Sequence, residues 1–90
     1  MAEVRTGVDA VDLALIDLLA KRFGFMDAAA RIKADRSDVR DEVRKAQVLV
    51  NVTAAAETAG LPIATMVSIW EELVEASIAY ELERWDDIGR

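Results

Sequence analysis

Residues 5–33 read RTGVDAVDLALIDLLAKRFGFMDAAARIK, and this stretch decides the fold. Val8, Val11, Leu15, Leu18, Leu19, Phe25, Met26, Ala29 and Ile32 recur at three-and-four spacing, the period of an amphipathic helix running from near Arg5 to about Lys33. At 1.5 Å per residue such a helix is about 43 Å long, whereas a compact domain of 90 residues has a radius of gyration of about 12 Å. One chain cannot cover a helix of that length by itself. The expected remedy is a homodimer in which two long helices run side by side, each packed by helices of the other chain.

Beyond this helix, Ala34-Asp35-Arg36-Ser37-Asp38 is polar and ends in two good capping residues, so it predicts a loop and then a second helix from Val39 to about Ala59. Gly60 reads as a C-terminal stop and Pro62 as a first-turn residue, which starts a third helix from Ile63 to about Asp86. The expectation is an all-α chain of three helices, one of them long, in an intertwined homodimeric helical bundle. Residues 1–90 are too few for a second core, so one domain is expected.

Composition removes much chemistry. Hydrophobic residues make up 53% and charged residues 31%, with four Gly and one Pro, which suits a folded helical chain. With no Cys and no His, disulfides, thiolate metal sites, nearly all zinc chemistry and every His-based triad are excluded. A net charge of −6 argues against nucleic acid or an anionic membrane as the main partner. No segment approaches the roughly 18 unbroken apolar residues of a membrane span, and Met1-Ala2-Glu3-Val4-Arg5 lacks the pattern of a signal peptide. The cytoplasm is the expected location.

The interruptions of the apolar stripes carry the functional signal. On a helical wheel Arg22 and Lys33 fall within the sector of Val8, Leu15, Met26 and Ala29. In the third helix Met66, Trp70, Leu73, Val74, Ile78 and Trp85 mark the buried face, and Ser77 and Glu81 continue the same stripe. Buried charges are costly unless paired, so these positions imply either an internal salt-bridge network or a site for a charged ligand. Arg31, Arg36, Arg40, Asp9, Asp12, Asp17 and Asp27 read as solvated faces or helix-pair charges, and Glu71, Glu72 and Glu75 as an exposed acidic face. Trp70 and Trp85 read as core or dimer-interface residues.

The order Arg5, Arg22, Lys33, Asp41, Arg44, Ser77, Glu81, with Val8 and Asp12 in helical register after the first Arg, resembles the all-helical chorismate mutase family over nearly the whole chain. The spacings of 17 from Arg5 to Arg22 and 11 from Arg22 to Lys33 are those of the family. The related isochorismate pyruvate-lyases share this framework, and the ending Ile78-Ala79-Tyr80-Glu81-Leu82-Glu83-Arg84-Trp85 is similar to their C-terminal helix. The resemblance implies a dimer with two active sites, each completed by an Arg5 supplied in trans, and a small dianionic substrate, chorismate or isochorismate. Arg22 and Arg44 would bind its carboxylates together with that Arg5. Lys33 would hold the ether oxygen and a nearby carboxylate, and Glu81 would approach the ether oxygen from its other side. Asp41 and Ser77 would make lesser polar contacts, with Ala29, Val74 and Ile78 as the apolar wall.

Chorismate becomes prephenate by a concerted rearrangement, so the resemblance implies a protein that shapes and polarises its substrate with no nucleophile, metal or cofactor. Two departures stand out. Lys45 occupies a position where the mutases commonly carry a Glu that contacts the ring hydroxyl, and the stretch from Lys33 to Asp41 is one residue shorter than usual. Both lean toward the lyase branch, whereas Glu81 stands where those lyases carry Gln. Three functions therefore fit the sequence: a chorismate mutase, an isochorismate pyruvate-lyase forming salicylate, or a helical dimer module without turnover.

Overall fold

The computed structural model describes residues 1–89, which form α1 (Ala2–Ile32), a short 3-10 turn (Arg36–Asp38), α2 (Glu42–Ala59) and α3 (Ile63–Asp87). The chain is all-α, and among the described residues there is no strand. The long helix is α1, with 31 residues. It starts at Ala2 rather than near Arg5, because Thr6 does not cap a later start: its Oγ1 donates to the Ala2 carbonyl at 3.0 Å, inside the helix. At its other end the backbone of Lys33 turns extended (φ −66°, ψ 130°). Its carbonyl accepts the indole N–H of Trp85 at 3.2 Å, so α3 satisfies the group at which the chain leaves α1.

The second helix begins at Glu42, not at Val39. Two capping sites compete in this stretch, and burial decides between them. Asp38 spends a carboxylate oxygen on the Asp35 N–H at 3.3 Å within the 3-10 turn, and Val39 drops into the core at 4% exposure. Asp41 then caps α2, accepting the Arg44 N–H at 2.9 Å. The far end of α2 follows the sequence: Gly60 is left-handed (φ 70°), its N–H reaches the Glu57 carbonyl, and the Leu61 N–H reaches that of Ala56. This is the Schellman arrangement. Pro62 stands one position ahead of the first turn of α3, as its N-terminal cap residue.

Helix α3 packs against both other helices, whereas α1 and α2 make no close backbone approach among the described residues. Contacts such as Arg22 with Ser77 and Asp27 with Tyr80 advance together along the chain, so α1 and α3 run in the same direction. The core is small. Val39, Val74 and Ile78 form its centre, and Val48, Trp70, Leu82 and Trp85 pack on its rim while remaining half-exposed. Along α1 burial begins only at Leu19, and Val4, Val8, Val11, Leu15 and Leu18 are all more than half exposed. The molecule is accordingly elongated, 52 × 25 × 15 Å, with a radius of gyration of 15.8 Å. No helix among the described residues is long and apolar enough to cross a membrane.

Gly60 gives a direct test of the α2–α3 connection. An added Cβ would meet nothing within 4 Å, so Gly60→Ala carries only the backbone penalty of a left-handed L-residue. A loss of about 1–2 kcal/mol is expected, read from the urea midpoint at constant slope.

Candidate functional site

Because α3 holds α1 and α2 apart, a slot remains between them, and it forms a cavity of about 340 Å³ with α3 as its floor. Helix α1 and its C-cap residue contribute Arg22, Met26 and Ala29, and Lys33, at steps of four, three and four. The loop and α2 contribute Val39, Asp41, Arg44, Lys45 and Val48, and α3 contributes Val74, Ser77, Ile78 and Glu81. The structure therefore brings together Arg22, Ala29, Lys33, Asp41, Arg44, Val74, Ser77, Ile78 and Glu81 from the sequence reading, and leaves Arg5 outside. Arg5 lies on the exposed half of α1, 17 residues before Arg22, which is about 25 Å along the helix axis.

The polar floor is tied to α1 at two points. Lys33 Nζ donates to Glu81 Oε2 at 2.7 Å, with the Glu81 residue only 4% exposed, and Nζ also lies 3.5 Å from the Val39 carbonyl. Arg22 donates through Nη1 to Ser77 Oγ, whose hydroxyl donates to the Leu73 carbonyl one turn back at 2.7 Å. Burial, and after it the nearby positive charge of Arg44, lowers the proton affinity of Arg22. Arg44 is placed by the Asp41 cap and by a hydrogen bond from its Nη1 to Gln47 Oε1 at 2.7 Å. Two guanidinium groups that repel each other thus line one cavity, and an anion set between them would relieve that repulsion.

Charged pairs fasten the elements around the slot to one another, and they include Arg36, Arg40 and Asp27, which read as solvated or helix-pair charges from sequence. Lys45 Nζ sits 2.9 Å from both Glu71 Oε1 and Glu75 Oε2. Arg40 grips Glu75 with two nitrogens at 2.7 and 3.1 Å and reaches Glu42 at 3.0 Å. Arg36 bridges to Asp86 at 2.9 Å, and Asp27 of α1 receives both the Tyr80 hydroxyl and Arg84. Glu71 and Glu75 form an acidic face that is well exposed yet partnered, and Arg36, Arg40 and Asp27 join different elements. Their one trace in sequence is the i, i+4 pair Glu71/Glu75, which offers two carboxylates on one side of α3. Met26, Val39 and Val48 extend the apolar wall beyond the residues the sequence assigned to it.

A family model described as chorismate mutase type II matches residues 4–82, a span that includes Arg5 and the whole cavity lining. Among curated proteins, the isochorismate pyruvate lyase of Pseudomonas aeruginosa is 26% identical over 85 residues, which cover 94% of this chain and 84% of that protein.

The rim pairs make stability depend on acid. Hydrogen bonds from Arg40 and Lys45 pull the Glu75 carboxyl from its ordinary 4.5 down to about 2, and Arg36 lowers Asp86 in the same way. A carboxyl depressed in the folded state stabilises it above the unfolded pKa, and this stabilisation is lost as pH falls through the folded value. The urea midpoint should fall between about pH 4.5 and 2, with Glu75→Gln showing a lower midpoint at neutral pH and a flatter acid limb. Both residues are well exposed, so the effect should be modest.

Proposed function

The chain belongs to the chorismate mutase type II family, and from that premise we propose that the cavity binds chorismate as a dianion and rearranges it to prephenate. The observation that carries this reading is the pair of mutually repelling guanidiniums, Arg22 and Arg44, beside the Lys33–Glu81 ion pair in one apolar-walled slot. A guanidinium fork matches a carboxylate with two parallel hydrogen bonds, so Arg22 and Arg44 are suited to the two carboxylates of the substrate. Ala29, Val74 and Ile78 press on the ring and the enolpyruvyl arm, removing part of the entropic barrier to the folded-over geometry. As the ether C–O bond breaks and the C–C bond forms, negative charge grows on the ether oxygen. Lys33 donates to that oxygen, with the Glu81 carboxylate holding its ammonium in place.

A second reading is favoured by the lyase relative: the same slot takes isochorismate and releases salicylate and pyruvate. The two carboxylates and the ether oxygen are common to both substrates, so the same cations serve either reaction. A third outcome is a helical module that binds without turnover.

The site is completed by a second copy of the chain. The uncovered Val4, Val8, Val11, Leu15 and Leu18 give α1 an apolar face to bury. An apolar hollow of about 230 Å³ lined by Val52, Ala56, Leu61, Met66 and Trp70 offers the complementary surface between α2 and α3. Arg5 is too far along its own helix to reach its own slot, and an antiparallel pairing of two α1 helices carries it to the other one.

Purified protein incubated with chorismate and isochorismate separately should yield prephenate from chorismate; salicylate and pyruvate from isochorismate alone would select the second reading, and no product from either the third. Light scattering at micromolar concentration should give a dimer. Arg22→Ala and Lys33→Ala should each cut turnover more than a hundredfold, about 2.7 kcal/mol, while circular dichroism shows the helices retained. Arg5→Ala and Lys33→Ala chains, each inactive alone, should recover about a quarter of wild-type activity when unfolded and refolded together in equal amounts. Half of the dimers are then mixed, and each mixed dimer holds one intact site. Failure to recover would place Arg5 outside the shared site.

A further inference from the structure

The last turns of α3 grip the end of α1 from two sides. On one side Tyr80 and Arg84, one turn apart, both reach the Asp27 carboxylate, the hydroxyl at 3.0 Å and the guanidinium at 3.1 Å, and the Tyr80 ring meets Phe23 edge-on. These contacts pin α1 as a body. On the other side Glu81 and Trp85, also one turn apart, both reach Lys33, and they hold this single residue by its two ends. Glu81 takes the ammonium at 2.7 Å, whereas the indole N–H of Trp85 donates to the main-chain carbonyl at 3.2 Å. Lys33 stands where the chain leaves the helix (ψ 130°), so the helical repeat no longer fixes the peptide that follows it. Trp85 fixes it instead. The peptide ahead is fixed by α1, because the Lys33 N–H donates to the Ala29 carbonyl at 2.9 Å. A residue has only two soft backbone torsions, so with both neighbouring peptides held the direction of its Cα–Cβ bond is set. From there to Nζ the stem is about 6 Å long, and a tilt of about 10° at its root moves the ammonium by about 1 Å. A displacement of that size in a reacting geometry can cost about a hundredfold in rate.

We propose that Trp85 is a positioning residue whose indole N–H, by fixing the Lys33 carbonyl, sets the direction in which the Lys33 ammonium enters the slot. The inference rests on the proposed role of Lys33 as donor to the ether oxygen. Trp85 is not among the residues that line the slot, so it acts through Lys33 and not on the ligand. Its ring packs on the cluster that contains Val39, whose carbonyl lies 3.5 Å from Lys33 Nζ, so the same side chain also steadies the wall beside the ammonium. The two anchors differ in what a ligand does to them. Glu81 and the ether oxygen share the ammonium, whereas the Trp85 bond lies on the backbone and asks nothing of it. Since Arg22 and Arg44 hold the carboxylates of the substrate, a misaimed Lys33 lowers kcat and leaves binding nearly intact.

The test is a double-mutant cycle on turnover, run on whichever of chorismate and isochorismate the wild type converts. Trp85→Phe keeps an aromatic ring and loses the N–H. It should lower kcat about tenfold or more and leave KM within about threefold, with the helices retained by circular dichroism. In a Lys33→Ala chain there is no ammonium to aim, so adding Trp85→Phe should change the residual turnover less than about twofold. Benzothienylalanine placed at position 85 keeps the bicyclic shape and carries sulfur where the indole has N–H, so it should reproduce the loss even if Trp85→Phe weakens the fold. Wild-type kcat with benzothienylalanine, or an equal loss from Trp85→Phe in both backgrounds, overturns the proposal, because the ring then matters only as packing. Lys33→Ala alone separates this from failure of the underlying reading. A large loss there with unchanged kcat in both Trp85 variants removes Trp85 only. A Lys33→Ala chain as fast as wild type, or a wild type that converts neither substrate, removes the donor role of Lys33 and the Trp85 proposal with it.

Discussion

Everything in this molecule leans on α3. It is the element against which both α1 and α2 pack, and because those two do not approach each other, the space between them stays open. The consequence is written along one stripe of α3, where Val74 and Ile78 alternate with Ser77 and Glu81, all four buried. In an ordinary core the serine and the glutamate would be faults costing several kcal/mol. Here they are the floor of a slot, and α1 supplies their partners in Arg22 and Lys33. The geometry focuses charge. Arg22 and Lys33 are 11 residues apart on α1, about 16 Å, yet they reach α3 positions only one turn, about 6 Å, apart. Two long flexible side chains are thereby drawn toward a common point.

The Lys33–Glu81 pair also shows why a charge in this slot is stable without a ligand. Removing one member of a buried pair leaves the other uncompensated and costs more than the pair itself contributes. Glu81 is almost wholly covered, whereas the Lys33 side chain keeps about a quarter of its surface open. Lysine is the member able to move, and its long stem lets it shift toward a bound anion while the carboxylate stays. The rim pairs differ in kind. Most are half-exposed, and singly such bridges contribute about 0–1 kcal/mol. Their value is geometric, because Arg40, Lys45, Glu71 and Glu75 fasten the start of α2 to α3 and so set the width of the opening.

Much of this was legible from residue spacing. The period of α1, its excessive length and the intrusion of Arg22, Lys33, Ser77 and Glu81 into apolar stripes are local patterns, and local patterns survive in a single sequence. The start of α2 was not, because Ser37-Asp38 and Asp41 are both good caps, and the choice turns on whether Val39 is buried by residues more than 30 positions away. The rim network was hidden for the same reason. Arg40 and Arg36 look like solvated charges until α2 and the preceding turn are set against α3, and only then do Glu75 and Asp86 come within reach. Arg5 belongs to a third class, since the role proposed for it is a property of how chains assemble, and the fold of one chain leaves it in solvent.

One small feature gives the protein a means of being watched. The chain contains two tryptophans, and one of them, Trp85, hydrogen-bonds through its indole to the backbone carbonyl of Lys33, the residue whose ammonium faces the slot. The same ring packs on the Val39–Val74–Ile78 cluster that forms part of the cavity wall. Indole emission shifts in wavelength and intensity with hydrogen bonding and local field, so a ligand that displaces Lys33 is expected to change the light emitted by Trp85. The slot is built beside an optical reporter, a tryptophan of the unlabelled protein.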